Sequence, residues 1–286
     1  MNTFRTILFT LTSLFAFAAN SVLCRLALST EQVDPANFTA IRLLSAAITL
    51  ALIVAVKNST NLSKVSQFGS HSGAFYLFIY AAGFSYAYVS LGTATGALIL
   101  FACVQFTMLL KGWLAGVKMT KQEYIGIALS LIGFLYFIYP ELEKPSFIGC
   151  ILMGLAGIAW AMYSLIGARS TQPLLDTASN FIRLLPIVLI TLVWSYFTTD
   201  IQMSLQGWLY TIGSGALASG VGYAVWYVVL PHLKPSIAAV SQLSVPIWAA
   251  LGGVLLVAEP IDLHLALSAS VILGGIMLVI LVKNKR

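Results

Sequence analysis

The chain has 286 residues, of which 59% are apolar and only 8% charged, with a mean hydropathy of +0.94. A water-exposed domain of this size needs far more charge to cover its surface, so the bilayer is the solvent and a soluble enzyme or binding module is excluded. The net charge of +6 does not indicate nucleic acid, because the 15 Lys and Arg are scattered through short loops and form no basic stripe.

A membrane span needs about 20 apolar residues to cross roughly 30 Å of hydrocarbon. Ten such stretches are predicted in chain order, at about residues 4–28, 38–56, 73–91, 94–116, 122–140, 147–168, 178–198, 207–230, 235–258 and 263–282. The first imitates a secretory signal, with Arg5 ahead of an apolar run from Ile7 to Ala18. It is read as a span, because Leu23 before Cys24 spoils a lipoprotein cleavage site, and removing it leaves the segment around Trp160 without a counterpart. The uncharged stretch from Ser72 to Leu110 is too long for one helix and is broken at Leu91-Gly92-Thr93, where glycine permits a tight reversal. Pro186 and Pro246 interrupt the seventh and ninth spans, marking either bends beside a path or static kinks. Cys24, Cys103 and Cys150 sit in apolar runs without metal-ligand spacing and read as small buried hydrophobes.

An internal echo organises these spans. Ile41-Arg42-Leu43-Leu44 returns 141 residues later as Ile182-Arg183-Leu184-Leu185, and at the same offset Ala19 falls on Trp160, Ala97 on Ala238 and Leu131-Ile132-Gly133 on Ile272-Leu273-Gly274. Residues 1–141 and 142–286 are therefore expected to be two copies of one five-helix unit. Five is odd, so the second copy enters from the opposite side. The predicted fold is an all-α integral membrane protein of ten transmembrane helices in two inverted five-helix repeats.

Loop charge sets the orientation. With the N-terminus in the cytoplasm, Arg5, Lys57, Lys64, Lys118, Lys121, Arg169, Lys234, Lys283, Lys285 and Arg286 lie inside, and Lys144 is the only loop cation outside. Most acids fall outside, namely Glu31, Asp34, Glu141, Glu143, Asp200, Glu259 and Asp262, against Glu123 and Asp176 inside. Both termini are expected to be cytoplasmic.

Polar residues within spans are few and costly to expose to lipid: Asn20, Arg25, Arg42, Gln105, Lys111, Arg183 and Gln242. Lys111 snorkels near a helix end. Gln105 and Gln242 occupy corresponding spans of the two copies, either bonding helix to helix or lining one cavity from both halves. Asn20 adds a third amide, and Tyr86, Trp160, Tyr163 and Tyr223 supply aromatic walls; packing and interfacial anchoring are the plain alternatives. Arg25 and Arg42 lie toward the outer face, where Glu259, Glu31 or Asp34 offers an ion pair. Arg42 and Glu259 are expected to form and break such a pair in gating, with Arg183 as the counterpart of Arg42. Small-residue stripes such as Ser214-xxx-Ala218-xxx-Gly222 permit close helix contact. No catalytic constellation or metal motif is present, the histidines are peripheral, and no acid falls in mid-span, so neither catalysis, a cofactor nor a bound metal is expected.

These residues resemble the drug/metabolite transporter superfamily, EamA type, over essentially the full length. The resemblance is carried by Phe38-Thr-Ala-Ile-Arg42-Leu-Leu, Tyr88-Val-Ser-Leu-Gly-Thr-Ala-Thr-Gly-Ala-Leu-Ile, Ala159-Trp-Ala-Met-Tyr163-Ser, Tyr223-Ala-Val-Trp-Tyr-Val-Val-Leu, and Pro246 followed by Ala258-Glu259-Pro260. It departs from the family at Gly116-Val117-Lys118, where the first copy would often carry a glutamate. The resemblance implies ten helices in two inverted repeats and export or exchange of small solutes such as amino acids, other metabolites or toxic compounds. The expected protein is a secondary transporter of the inner membrane working by alternating access, as monomer or homodimer. Its expected partners are a small-molecule substrate and the lipid bilayer, with no nucleic acid. The alternative is a non-transporting sensor or assembly protein on the same scaffold.

Overall fold

The computed structural model of the protein describes residues 1–30, 33–57, 64–91, 93–116, 120–138, 146–198, 203–249, 251 and 263–283. Among these, every regular element is helical. The first half contains α1 (Thr3–Arg25, continued as a π-helical turn Leu26–Thr30), α2 (Pro35–Lys57), α3 (His71–Ser90), α4 (Thr93–Leu114) and α5 (Lys121–Ile138). The second contains α6 (Phe147–Gly167), α7 (Pro173–Ile182), α8 (Leu185–Thr198), α9 (Leu205–Gly213), α10 (Gly222–Val229), α11 (Pro235–Gln242) and α12 (Leu263–Lys283). A π-helical segment, Ser214–Val221, joins α9 to α10. Among the described residues, five helical runs are long and apolar enough to cross a membrane: Thr3–Leu28, Pro35–Lys57, Phe147–Gly167, Pro173–Thr198 and Leu205–His232. At a rise of 1.5 Å per residue, the 23 residues of α2 span about 35 Å, enough for the hydrocarbon core.

Local chemistry sets the helix ends. Asp34 Oδ1 accepts from the amides of Ala36 and Asn37 at the start of α2 (2.9 and 3.0 Å). Thr120 and Glu123 form a reciprocal capping box at α5, with Thr120 N donating to Glu123 Oε2 (2.8 Å) and Glu123 N to Thr120 Oγ1 (3.2 Å). The two prolines act at a fixed distance. A proline supplies no amide and collides with the carbonyl four residues earlier; α7 stops at Ile182, four before Pro186, and α11 stops at Gln242, four before Pro246. Helical backbone resumes at Leu185 and over residues 245–249.

Packing between these helices relies on small residues, since lipid is as apolar as the side chains and gives no solvophobic drive for helices to associate. A Cβ on Gly215 would strike Ser45 Oγ and the Arg42 carbonyl, so this glycine lets the π segment lie directly on α2. Contact registers also give directions. Along α5 and α12, Tyr136 meets His264, Gly133 meets Val271 and Ser130 meets Ile272, one number falling as the other rises. Along α4 and α11, Gly112 meets Pro235 and Met108 meets Gln242. Both pairs, the counterparts under the 141-residue offset, are antiparallel. By contrast Ser45 meets Gly215 and Ala46 meets Gly220, so α2 and the π segment run parallel. The outer surface is apolar, with Leu52, Ile132, Ile190 and Phe197 all exposed, as a lipid-facing surface requires.

Candidate functional site

The polar residues of the apolar helices converge on the middle of the bundle. Asn20 of α1 is buried and spans the halves: its Oδ1 accepts from Ser214 Oγ (2.6 Å) and its Nδ2 donates to Tyr80 Oη (3.3 Å). Tyr223 Oη donates to the same Tyr80 Oη (3.0 Å), completing a relay Ser214–Asn20–Tyr80–Tyr223. Ser214 opens the π segment, and Gly222 at its far end packs on Ala16, so the small-residue stripe brings this part of the chain against α1.

Trp160 stands at the centre of an aromatic cluster, its ring 4.6 Å from Tyr223, 4.7 Å from Tyr80 and 5.1 Å from Phe17. Its Nε1 donates to Gln242 Oε1 (2.7 Å), while Gln242 Nε2 donates to the Ala238 carbonyl (2.9 Å). Gln242 is the last residue of α11, so the break imposed by Pro246 places this amide at the bundle centre. Tyr163 is buried one turn from Trp160; its carbonyl accepts from Tyr227 Oη (3.0 Å).

Of the seven residues expected to contact substrate, Asn20, Trp160, Tyr163, Tyr223 and Gln242 are thus brought together. Gln105 is fully buried in α4, yet neither its Oε1 nor its Nε2 has a hydrogen-bond partner. Tyr86 is 47% exposed and faces a lateral groove of about 170 Å³ between α2, α3 and α8, lined also by Thr39, Leu43 and Val188; this groove is apart from the polar relay.

The two arginines of the repeated tetrapeptide have different surroundings. Arg183 closes α7, and its Nη2 donates to the carbonyls of Ser66 (2.7 Å) and Phe68 (3.1 Å), with Nη1 3.2 Å from His71 Nε2. The same face of α7 holds the 64–70 segment at three further points. Asp176 Oδ1 accepts from Gly69 N (2.8 Å), Asn180 Oδ1 from Ser70 N (3.0 Å), and Ser179 Oγ donates to the Phe68 carbonyl (2.6 Å). Asp176 is itself held by Ser170 Oγ. Gly69 has φ +66°, a left-handed conformation that a Cβ would strain. This lock ties the first half to the second at the end of the bundle that carries Lys64 and Arg169.

Arg42, in contrast, is 1% exposed and its Nε and Nη1 have no hydrogen-bond partner. The guanidinium carbon lies 5.3 Å from the ring of Phe84 and 5.7 Å from those of Phe38 and Tyr80. Such contacts contribute about 0.5–2 kcal/mol each, which offsets part of the several kcal/mol that burying an unpaired cation costs but supplies no hydrogen-bond acceptor to its N–H groups. Glu259 and Glu31, two of the expected partners, lie outside the described residues, and the third, Asp34, is occupied capping α2. Arg25 Nη1 donates to the Tyr88 carbonyl (3.3 Å).

Sequence reasoning passed over Tyr80, Gly69, Asp176, Ser179 and Asn180. Their signals are present: Tyr80 and Tyr223 are 143 residues apart, close to the repeat offset, and Asp176, Asn180 and Arg183 form a polar stripe at helical spacing in an apolar segment. Among the described residues no group of His, Cys, Asp and Glu is arranged to hold a metal ion.

Similarity to known proteins agrees with this architecture. The EamA-like transporter family matches twice, over residues 4–139 and 147–281. An uncharacterized protein of Pseudomonas aeruginosa is 43% identical over 276 residues, covering 96% of this chain and 94% of that one. An uncharacterized transporter of Archaeoglobus fulgidus is 27% identical over 199 residues, or 68% and 69% of the two chains. The uncharacterized transporter YoaV of Bacillus subtilis is 20% identical over 260 residues, 87% and 88%. A solved crystal structure shares the fold, with a TM-score of 0.76 at 18% identity over 96% of this chain and 99% of that one.

Proposed function

Since the chain belongs to the EamA-like transporter family, part of the drug/metabolite transporter superfamily, we propose that it is a secondary transporter moving a small organic solute by alternating access. Its two units, residues 1–141 and 142–286, are inverted five-helix repeats forming ten spans in the inner membrane, with both termini cytoplasmic. The two successive family matches and the antiparallel registers of α4 with α11 and α5 with α12 support that arrangement.

The observation that carries the functional reading is the relay Ser214–Asn20–Tyr80–Tyr223, a buried polar centre built from both halves of a membrane protein. Buried groups of this kind are costly in a bilayer and are retained where a solute must be recognised. Asn20, Trp160, Tyr163, Tyr223, Gln105 and Gln242 provide the contacts. Arg183 is a gating residue: the lock around it closes the cytoplasmic end in the present state, and opening requires α7 to part from the 64–70 segment. Phe181 links lock and centre, its ring 6.1 Å from that of Tyr223. The protein exports or exchanges its solute and makes or breaks no covalent bond.

The test is counterflow in proteoliposomes, with equal pH on both sides and a panel of labelled amino acids and carboxylic acids. Saturable exchange of at least one compound above protein-free liposomes is expected. Absence of any such flux overturns the reading in favour of a non-transporting protein, and flux only under an imposed proton gradient overturns simple exchange.

A further inference from the structure

Among the described residues Arg42 is the one buried cation. Its side chain contacts three aromatic rings, and two of its nitrogens carry buried N–H groups without a hydrogen-bond acceptor. One of those rings belongs to Tyr80, whose hydroxyl is the middle of the polar relay, so the charge sits beside the centre and not at the lipid surface. Its counterpart Arg183 has carbonyl acceptors on Nη2 at 2.7 and 3.1 Å and leaves only its Nε unpaired, whereas no carbonyl or side-chain acceptor faces Nε or Nη1 of Arg42.

We propose that Arg42 is the receptor for a carboxylate on the substrate, so that the solute carried is a monoanion with an apolar or aromatic body. This rests on the transporter reading above. A guanidinium recognises a carboxylate through charge-assisted hydrogen bonds, which supply the acceptors that Arg42 lacks and offset the burial of its charge. One charge matches one charge: Arg42 is the one buried cation among the described residues, so a phosphomonoester, near −2 at neutral pH, brings a second charge that this single guanidinium does not offset. Trp160, Tyr223 and Phe17 present aromatic surface to the rest of the molecule, and Asn20 with Ser214 selects for a neutral polar group on it. The cation–π contacts hold the guanidinium in place while the site is empty.

The experiment uses the purified full chain in detergent and ligand-induced thermal shift, which reads binding to the folded state. The probes are benzoate, phenylacetate and hexanoate, each against its primary amide, with phenyl phosphate as the doubly charged comparator. At least one carboxylate is expected to bind with an affinity about tenfold or more above its amide. Arg42→Gln is expected to abolish that preference and Arg42→Lys to retain part of it. Equal shifts by acid and amide, no shift by any carboxylate, tighter binding of phenyl phosphate, or an undiminished preference in Arg42→Gln each overturn the proposal. The acid-against-amide comparison is made on the wild type, so it stands even if the variants fail to fold. Counterflow separates the two readings: flux of neutral compounds only, without carboxylate preference, leaves the transporter and sinks the anion site. Arg42-dependent binding with no flux of any compound does the reverse.

Discussion

Ser214 donates to Asn20 across 2.6 Å, joining residues 194 positions apart and from opposite halves of the chain. Ser214→Ala leaves the buried Asn20 oxygen without its donor, and a membrane hydrogen bond of this kind contributes about 0.5–2 kcal/mol. A melting temperature lower by a few degrees and weaker substrate counterflow are expected together. If melting falls while counterflow constants are unchanged, Asn20 is a structural residue and not a solute contact.

Gly69 sits in the network proposed above as the cytoplasmic gate. Gly69→Ala places a side chain at φ +66° with its Cβ 2.6 Å from Asn180 Oδ1, and the left-handed conformation alone costs about 1–2 kcal/mol. That cost falls on the closed state, so the population open toward the Lys64 side should rise about fivefold or more. Asp176→Asn, which weakens the acceptor for the Gly69 amide, should act in the same direction. The measurement is maleimide labelling, from the cytoplasmic side, of a cysteine placed at buried Thr177. Unaltered labelling in both variants means that the network is not a gate.

Gln105 has a fully buried amide that bonds to nothing in the protein. Gln105→Met keeps the length and removes both polar groups, so stability should be unchanged or slightly higher, because no internal hydrogen bond is lost. Affinity for the solute should fall about two- to tenfold, the value of one net hydrogen bond. The idea fails if the variant melts lower and transports with wild-type kinetics.

Topology is checked on a background with Cys24, Cys103 and Cys150 replaced. Cysteines at the exposed positions Gln67 and Gln206 should label from opposite faces of the membrane, the first from the cytoplasm. Labelling of both from one face would end the orientation derived from loop charge.

The family, the membrane setting and the helical stretches were legible because each depends on composition or on neighbours in sequence. Apolar runs of span length, caps such as Thr120 with Glu123, and prolines that stop α7 and α11 four residues upstream all act within a turn or two of helix. The offset that pairs Arg42 with Arg183 is also a one-dimensional fact. Five of the substrate candidates converge because an amide or an indole in a lipid-embedded helix has to find a partner inside the protein.

What separates Arg42 from Arg183 is not in the tetrapeptide they share. The same Ile-Arg-Leu-Leu puts one guanidinium among backbone carbonyls of the 64–70 segment and the other against three rings without an acceptor. Likewise Tyr80 rather than Tyr86 joins the centre, although both lie on α3, because six residues turn a helix by about 600°, away from the original face. The sequence by itself determined which segments are helical, that they live in lipid, and which polar groups need partners. Only the tertiary structure decided who those partners are, because hydrogen bonding falls off within a few ångströms and those distances are set by helices meeting far apart in the chain.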